Sequence, residues 1–267
     1  MTVTPAQGFV YGLLQGLTEV LPISSSAHLV LLPWFAGWKD PGLGFDVALH
    51  GGTLLAVLWY FWRDWLSLAY GVGASLRAGA LASNPEARLF WQLALASVPA
   101  ALAGVVFGEA AETTFRAPLL LAATLSGFGV LLYAADRLPQ TRRGLPEIGW
   151  ADAILIGIAQ ALAIVPGVSR SGVTITMARF LRIDREASAR FSFLLATPIV
   201  FGAKLLEARS VRGMLGEPGQ LLAFAASTVF GFVAIAALLR FVRGNTYSPF
   251  VVYRFALAAL IVTIASE

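Results

Sequence analysis

Two stretches of this sequence, GLLQGLTEVLPISSS at residues 12–26 and GIAQALAIVPGVSRS at residues 157–171, repeat one polar pattern within an otherwise apolar chain. Each has a glycine, a glutamine three residues later, an apolar run, a proline and a serine cluster. Prolines that interrupt apolar segments at matching places in two halves of a chain are typical of an inverted repeat with a binding site deep in the membrane. The pattern therefore predicts two broken helices that meet near the bilayer centre.

The composition predicts a polytopic membrane protein. Of 267 residues, 58% are hydrophobic and 13% are charged, and the mean hydropathy is +0.76. A soluble domain carries about 25% charged residues. The chain has no cysteine, which excludes disulfides and thiolate chemistry. The net charge of +4 is small and spread through the loops, which argues against nucleic-acid binding.

Six segments are apolar and long enough to cross a bilayer, which takes roughly 17–25 residues per helix. They lie at about 45–62, 88–107, 117–136, 187–206, 219–240 and 248–266. If both broken segments re-enter on the side they left, one face receives 11 of the 19 Lys and Arg residues and the other receives 5. The excess assigns the first face to the cytoplasm.

The predicted fold is therefore an all-α polytopic membrane protein, with about six transmembrane helices plus two re-entrant broken-helix hairpins in an inverted-topology repeat. It forms a single membrane domain over residues 1–267, with repeat halves at about 1–110 and 149–267. Other assignments of the hairpins stay open.

The first copy of the pattern places an amide and a carboxylate on one helix face. Gln15 and Glu19 are four residues apart, so they lie one above the other on a helix. An acid at membrane depth is costly unless it is paired or hydrated, and it marks a functional site by default. An adjacent face of small residues suits close helix contact and consists of Gly8, Gly12 and Gly16.

A serine cluster follows this helix. Pro22 ends the helix, and Ser24, Ser25 and Ser26 precede a second apolar run, as residues that cap a half-helix do. One cap needs one serine, so the cluster predicts more than capping. His28 lies two to four residues beyond the serines and is placed to act as a general base or proton shuttle.

The second copy adds a positive charge. Ser169, Arg170 and Ser171 stand between a Pro-Gly pair and an apolar run, and Thr174 follows one turn later. A helix start offers free backbone N–H groups and a positive dipole end. The planar guanidinium of Arg170 matches a phosphate group with two donors. The segment therefore predicts an oxyanion site, specifically for phosphate.

Three other polar residues are less informative. Asp46 and His50 share one face at the end of the first predicted span, where a cavity-lining role and simple structural polarity fit equally well. Arg254 lies inside the last predicted span, so it must pair with an acid or a backbone carbonyl.

The motifs QGLTEVLPISSSAH (15–28) and PGVSRSG (166–172) resemble the bacterial undecaprenyl pyrophosphate phosphatase family of the bacitracin-resistance type. The resemblance extends over nearly the whole chain, including FDVALHGGTLLAVLWYFWR (45–63) and FSFLLATPIVFGA (191–203). It implies a multi-pass hydrolase of the bacterial plasma membrane. Such an enzyme cleaves undecaprenyl diphosphate to the monophosphate carrier for peptidoglycan synthesis, with its site facing outside and a magnesium or calcium ion as cofactor.

The resemblance also implies roles for single residues. Ser25 corresponds to the proposed nucleophile, His28 to the acid/base residue and Arg170 to the phosphate-binding arginine. Glu19 corresponds to the second acid of a pair linked to metal binding and catalysis. Gln15 departs from the pattern, because the first acid is often Glu, and this leaves a metal site with one carboxylate fewer. The residues that would line the pocket are Ser24, Ser26, Ser169, Ser171 and Thr174.

Several alternatives stay open from the sequence. Attack by Ser25 through a phosphoserine and direct attack by water with His28 as base are both compatible with the motifs. A transporter or flippase of an anionic polyprenyl lipid is the rival function, since broken helices in inverted repeats also serve transport. A purely structural membrane protein would leave the polar residues unexplained. The lipid bilayer is the implied environment, and the oligomeric state, monomer or dimer, is open.

Overall fold

A computed structural model describes residues 3–112, 115, 117–139, 143–206 and 217–265 of the chain. Within these ranges the chain forms α-helices and two short 3₁₀ turns, Leu145–Glu147 and Leu162–Ile164. The helices are α1 (Pro5–Val20), α2 (Ser25–Ala36), α3 (Leu43–Tyr60), α4 (Trp62–Arg77), α5 (Pro85–Glu112), α6 (Pro118–Arg137), α7 (Trp150–Ala161), α8 (Arg170–Phe180), α9 (Arg185–Leu206), α10 (Pro218–Val242) and α11 (Ser248–Ala265). The predicted class, an all-α polytopic membrane protein, is confirmed.

Four helices are long and apolar enough to cross a membrane: Pro85–Gly108 of α5, and α6, α10 and α11 over their full lengths. The other two predicted spans form helices α3 and α9, which pack against each other. Residue 266 of the last predicted span lies outside the described residues, as do four arginines of the charge count: Arg116, Arg142, Arg209 and Arg212. Large apolar side chains on α5 and α10 face outward, as lipid contact requires.

Local sequence sets both ends of α1. The Thr4 side chain accepts a hydrogen bond from the backbone N–H of Gln7, and the Gln7 side-chain oxygen accepts one from the backbone N–H of Thr4. Pro5 occupies the first turn of the helix. At the other end, Leu21 is extended because it precedes Pro22, and a residue before proline is disfavoured in the helical region. The first half-helix therefore stops where the motif predicts.

The predicted small-residue face of α1 is confirmed as a close helix contact. A Cβ atom built on Gly12 would lie 2.3 Å from the carbonyl oxygen of Ala223 in α10, and one on Gly8 would lie 1.9 Å from that of Gly219. Side chains larger than hydrogen would push the two helices apart. The glycines thus allow α1 to lie directly along α10, which places the first break against the protein interior rather than lipid.

The helix contacts repeat between the two parts of the chain. Helix α1 of the first broken segment packs on α10, as helix α7 of the second broken segment packs on α5. Likewise α3 contacts α10 and α9 contacts α5, while α6 pairs with α11 and α3 pairs with α9. This pairing is what a two-fold related repeat produces. The inverted orientation of the halves, and limits at 110 and 149, stay predictions.

Candidate active site

The two helix breaks contact each other directly. The backbone N–H of Gly167 in the second break donates to Ser24 Oγ in the first at 3.2 Å. In the other direction, Ser171 Oγ donates to the carbonyl oxygen of Leu21 at 3.0 Å. The serines that close each break therefore also join it to the other break, and the predicted meeting of the two motifs is confirmed.

Each break ends in a serine with unusual backbone geometry. Ser24 has φ 73° and Ser169 has φ 70°, in the left-handed region that side chains other than glycine rarely adopt. Both serines cap the following half-helix, because their side chains accept from the N–H of Ala27 at 3.4 Å and of Gly172 at 3.1 Å. Such conformations persist only where the surroundings enforce them, and they cluster at functional sites.

The carboxylate of Glu19 is the centre of the site. One oxygen is ion-paired with Arg170 of the second break. The other accepts the hydroxyl of Ser25 at 2.5 Å and the amide Nε2 of Gln15 at 3.1 Å. Glu19 is 8% exposed and Ser25 is 8% exposed, so these contacts form away from bulk water. Three residues of the two predicted motifs, Gln15, Ser25 and Arg170, thus converge on the buried carboxylate of Glu19.

The contact between Ser25 and Glu19 has the geometry of a nucleophile and its base. Because a carboxylate only accepts hydrogen bonds, the Ser25 proton points at Glu19 and the oxygen lone pairs point elsewhere. A base within hydrogen-bond reach of a hydroxyl is the arrangement that activates serine. Arg170 on the opposite oxygen offsets the cost of burying the charge, and removal of either partner from such a pair costs roughly 3–5 kcal/mol.

His28 contacts a different set of groups. Its Nδ1–H donates to the carbonyl oxygen of Ser24 at 2.7 Å, and its Nε2 lies 2.6 Å from the Tyr253 hydroxyl of α11. The imidazole also stacks on the Tyr253 ring, with centroids 5.6 Å apart. Both ring nitrogens are thus occupied by groups other than Ser25. The acid/base role of His28 stays a prediction, and its observed contacts orient the capping residue of the first break.

His50 joins the site more closely than the sequence indicates. Its Nε2 lies 3.3 Å from Glu19 Oε2, the oxygen that also accepts from Ser25. Its Nδ1–H donates to the backbone carbonyl of Asp46 at 2.7 Å, which fixes the ring. The four-residue spacing of Asp46 and His50 was the available signal, but it does not show that the ring faces Glu19.

The remaining predicted residues surround this centre. Ser24 and Ser26 hydroxyls are 3.1 Å apart, and those of Ser169 and Ser171 are 3.3 Å apart. Thr174 Oγ1 lies 2.7 Å from Ser192 Oγ of α9, a residue that the motifs do not include.

A small pocket lies beside Glu19 and Arg170. Ser171 and Ser192 are among its polar lining residues, and Val57 and Phe193 are among its apolar ones.

Glu19 and Gln15 supply some of the ligands that a bound cation requires, but not a complete set. Oε1 of Gln15 is buried and has no hydrogen-bond partner among the described residues, so one amide oxygen is free to act as a ligand. Over the described ranges, no three His, Cys, Asp or Glu side chains group as a metal site. Magnesium characteristically binds through one or two carboxylates together with substrate phosphates. Glu19 and Gln15 therefore fit a cation that also takes phosphate oxygens, but they form no complete protein cage.

The fold and site define a class: a polytopic α-helical membrane protein in which two serine-capped helix breaks enclose a buried serine–carboxylate–arginine cluster. Within that class, the chain belongs to the BacA family, described as bacitracin resistance protein BacA, which matches residues 8–260. The family predicted from the two motifs is thereby confirmed.

Similar proteins cover the whole chain. It is 50% identical over 266 residues to the undecaprenyl-diphosphatase of Moorella thermoacetica, with 98% of each chain covered. It is 48% identical over 265 residues to the undecaprenyl-diphosphatase of Desulforudis audaxviator, again with 98% of each covered. The undecaprenyl-diphosphatase of Pelotomaculum thermopropionicum is 46% identical over 263 residues, covering 98% of this chain and 97% of its own.

Proposed function

We propose that this chain is an enzyme that hydrolyses undecaprenyl diphosphate to undecaprenyl phosphate and inorganic phosphate. The observation that carries the proposal is the 2.5 Å contact between Ser25 Oγ and Glu19 Oε2, with Arg170 paired to the other carboxylate oxygen. The substrate is inferred from the relatives, which match 98% of the chain and are named undecaprenyl-diphosphatases. The product would be the lipid carrier that peptidoglycan synthesis reuses.

The site binds the diphosphate by charge and by helix ends. The N-termini of α2 and α8 begin at the two breaks and offer backbone N–H groups to an anion. The guanidinium of Arg170 binds two phosphate oxygens side by side when it turns from Glu19 to the substrate. That exchange leaves Glu19 ionised and free to accept a proton.

The reaction proceeds in two displacements. Ser25 Oγ attacks the terminal phosphorus in line and transfers its proton to Glu19. The bond from that phosphorus to the bridging oxygen breaks, and undecaprenyl phosphate leaves. Glu19 passes that proton to the departing undecaprenyl phosphate and is ionised again. A water molecule then attacks the phosphoserine and gives a proton to Glu19. The bond from phosphorus to Ser25 Oγ breaks, Ser25 takes the proton back from Glu19, and inorganic phosphate is released. Positioning and charge stabilisation supply most of the rate enhancement in phosphoryl transfer.

A magnesium or calcium ion fits this scheme as a cofactor. Glu19 and the free amide oxygen of Gln15 would hold it together with phosphate oxygens of the substrate. When bound, it would neutralise charge on the diphosphate.

We place the enzyme in the bacterial plasma membrane with the site open to the outside. The excess of Lys and Arg residues, 11 against 5, supports the orientation.

Hydrolysis is favoured over the rival function, transport of an anionic polyprenyl lipid. Transport requires an oxyanion site, which the two breaks provide, but it does not require a hydroxyl hydrogen-bonded to a carboxylate. The buried contact of Ser25 with Glu19 is what separates the two functions.

Phosphate release from purified protein in detergent tests the proposal directly. Wild type should release phosphate from undecaprenyl diphosphate, and Ser25→Ala should lose at least about a thousandfold in kcat, as removal of a nucleophile does. Ser188→Ala is a matched control, because Ser188 is a buried serine of α9 whose hydroxyl donates to the backbone carbonyl oxygens of Ile183 and Asp184. Wild-type turnover by Ser25→Ala would remove Ser25 from the mechanism, and absence of release by wild type would remove the proposed function.

A further inference from the structure

Arg254 is a completely buried arginine in the last helix, and its hydrogen bonds go to backbone. Its side chain is 0% exposed, and its hydrogen-bond acceptors among the described residues are backbone carbonyl oxygens. Those carbonyls belong to both breaks and to α6: Pro22, Thr124, Leu125, Gly167 and Val168. The best contacts are Nη2 to Gly167 at 2.8 Å and Nε to Leu125 at 2.9 Å. One side chain therefore joins three segments that are far apart in sequence.

The breaks themselves create the need for this cation. A helix that stops inside the membrane leaves carbonyl groups without partners, and no bulk water is present to satisfy them. The ends of the first half-helices also carry the negative end of the helix dipole. Arginine suits the position because its planar group offers five donors in one fixed fork. Arg254 thus supplies the donors and the positive charge that the two broken backbones lack.

The carbonyls that Arg254 binds are close in sequence to the reacting groups. Pro22 is three residues from Ser25, and Val168 is two residues from Arg170. Ser25 and Arg170 belong to different breaks, and both contact Glu19. The position of the nucleophile relative to the phosphate-binding arginine therefore depends on how the two breaks are held together.

We propose that Arg254 is a positioning residue that acts as a built-in counter-cation, fixing both breaks to α6 and keeping Ser25 aligned with Arg170. The inference rests on the proposed function for its kinetic consequences but not for its structural ones. In transporters with broken helices, comparable unwound carbonyls and helix C-termini coordinate a mobile coupling cation. Here the guanidinium of Arg254, which is covalently part of the chain, takes the place of that cation. The two breaks therefore stay joined throughout turnover without a coupling ion.

The kinetic test compares two buried arginines. Arg254→Met should lower kcat about a hundredfold, because a misplacement of about 1 Å can cost that much, while KM changes less than about threefold. Arg179→Met is the matched control. Arg179 is equally buried, but it binds the Ile183 carbonyl and Asp136, away from the breaks. Its loss should lower thermal stability and leave kcat within about threefold of wild type. Equal kcat losses in both variants would overturn the proposal.

A distance measurement tests the same idea without turnover. The chain has no cysteine, so spin labels attach only where cysteines are introduced. Trp34→Cys in α2 and Phe180→Cys in α8 replace exposed side chains on the two half-helices. The label distance should be a single narrow distribution in the wild-type and Arg179→Met backgrounds, and broad in Arg254→Met. A narrow distribution in Arg254→Met would contradict the proposal.

A conservative variant keeps the test decisive if Arg254→Met fails to fold. Arg254→Lys retains the charge with fewer and differently arranged donors, so its kcat and label distribution should lie between those of wild type and Arg254→Met. Wild-type kcat in Arg254→Lys, together with a narrow distribution, would show that the fork is not needed. Absence of phosphate release by wild type would count against the proposed function alone, because the label distances would still report on Arg254.

Discussion

At the scale of single residues, one carboxylate organises the site. Glu19 contacts Arg170 and Ser25, which the motifs single out, and His50, whose role the sequence leaves open. The spacing of Gln15 and Glu19 on one helix face predicts their contact, and the structure has it at 3.1 Å. The contact of His50 with Glu19 was not predictable, because it depends on how α3 packs beside α1 and not on local spacing.

The amide at position 15 yields a prediction about cation binding. Gln15→Glu replaces the donor that holds Glu19 with a second carboxylate, so the two like charges repel until a cation lies between them. We expect a lower half-saturating concentration of magnesium or calcium than in wild type, and lower activity when the cation is chelated.

Two measurements test the prediction for Gln15→Glu. Phosphate release is titrated with each ion, and thermal unfolding is followed with and without the ion in the absence of substrate. Unchanged values in both assays would show that position 15 is not a ligand and that its amide only orients Glu19.

At the scale of helices, glycine and proline determine where the backbone breaks. Gly167 has φ +91°, and a Cβ built on it would lie 2.0 Å from Thr124 Oγ1, the hydroxyl that bonds the Pro166 carbonyl at 2.8 Å. The proline positions and serine caps predict the breaks correctly. The sequence predicts that Arg254 pairs with an acid or a backbone carbonyl. Its partners are carbonyls of three segments that are brought together only in the folded chain.

The second break should tolerate no side chain at position 167. Gly167→Ala combines a strained left-handed backbone with an overlap against α6, so we expect unfolding in detergent at a temperature at least about 5 °C lower and a loss of turnover. Gly104→Ala is the matched control, since Gly104 lies in helix α5 and a Cβ there would meet no heavy atom within 4 Å. Equal melting temperatures for the two variants would show that the break is not constrained as described.

At the scale of the whole molecule, the repeated helix pairing brings the two breaks, at which α2 and α8 begin, into contact. Apolar runs predict the helices well, because a membrane helix must be both long and apolar. The sequence indicates α3 and α9 less clearly as transmembrane helices, because both carry polar residues of the site. These two helices pack on each other near the site. The motifs predict that the two breaks meet. They do not predict the contact between the His28 ring and Tyr253, because Tyr253 belongs to α11, a helix outside both motifs.

The stereochemical course at the terminal phosphorus tests the central claim most directly. An undecaprenyl diphosphate analogue whose terminal thiophosphate is made chiral by two oxygen isotopes is hydrolysed in water enriched in the third isotope, and the configuration of the released thiophosphate is determined. Each in-line displacement inverts phosphorus, so attack by Ser25 followed by water predicts retention. The contact of Ser25 Oγ with Glu19 at 2.5 Å is the basis for that prediction. Inversion would show a single direct attack by water and would contradict a covalent role for Ser25.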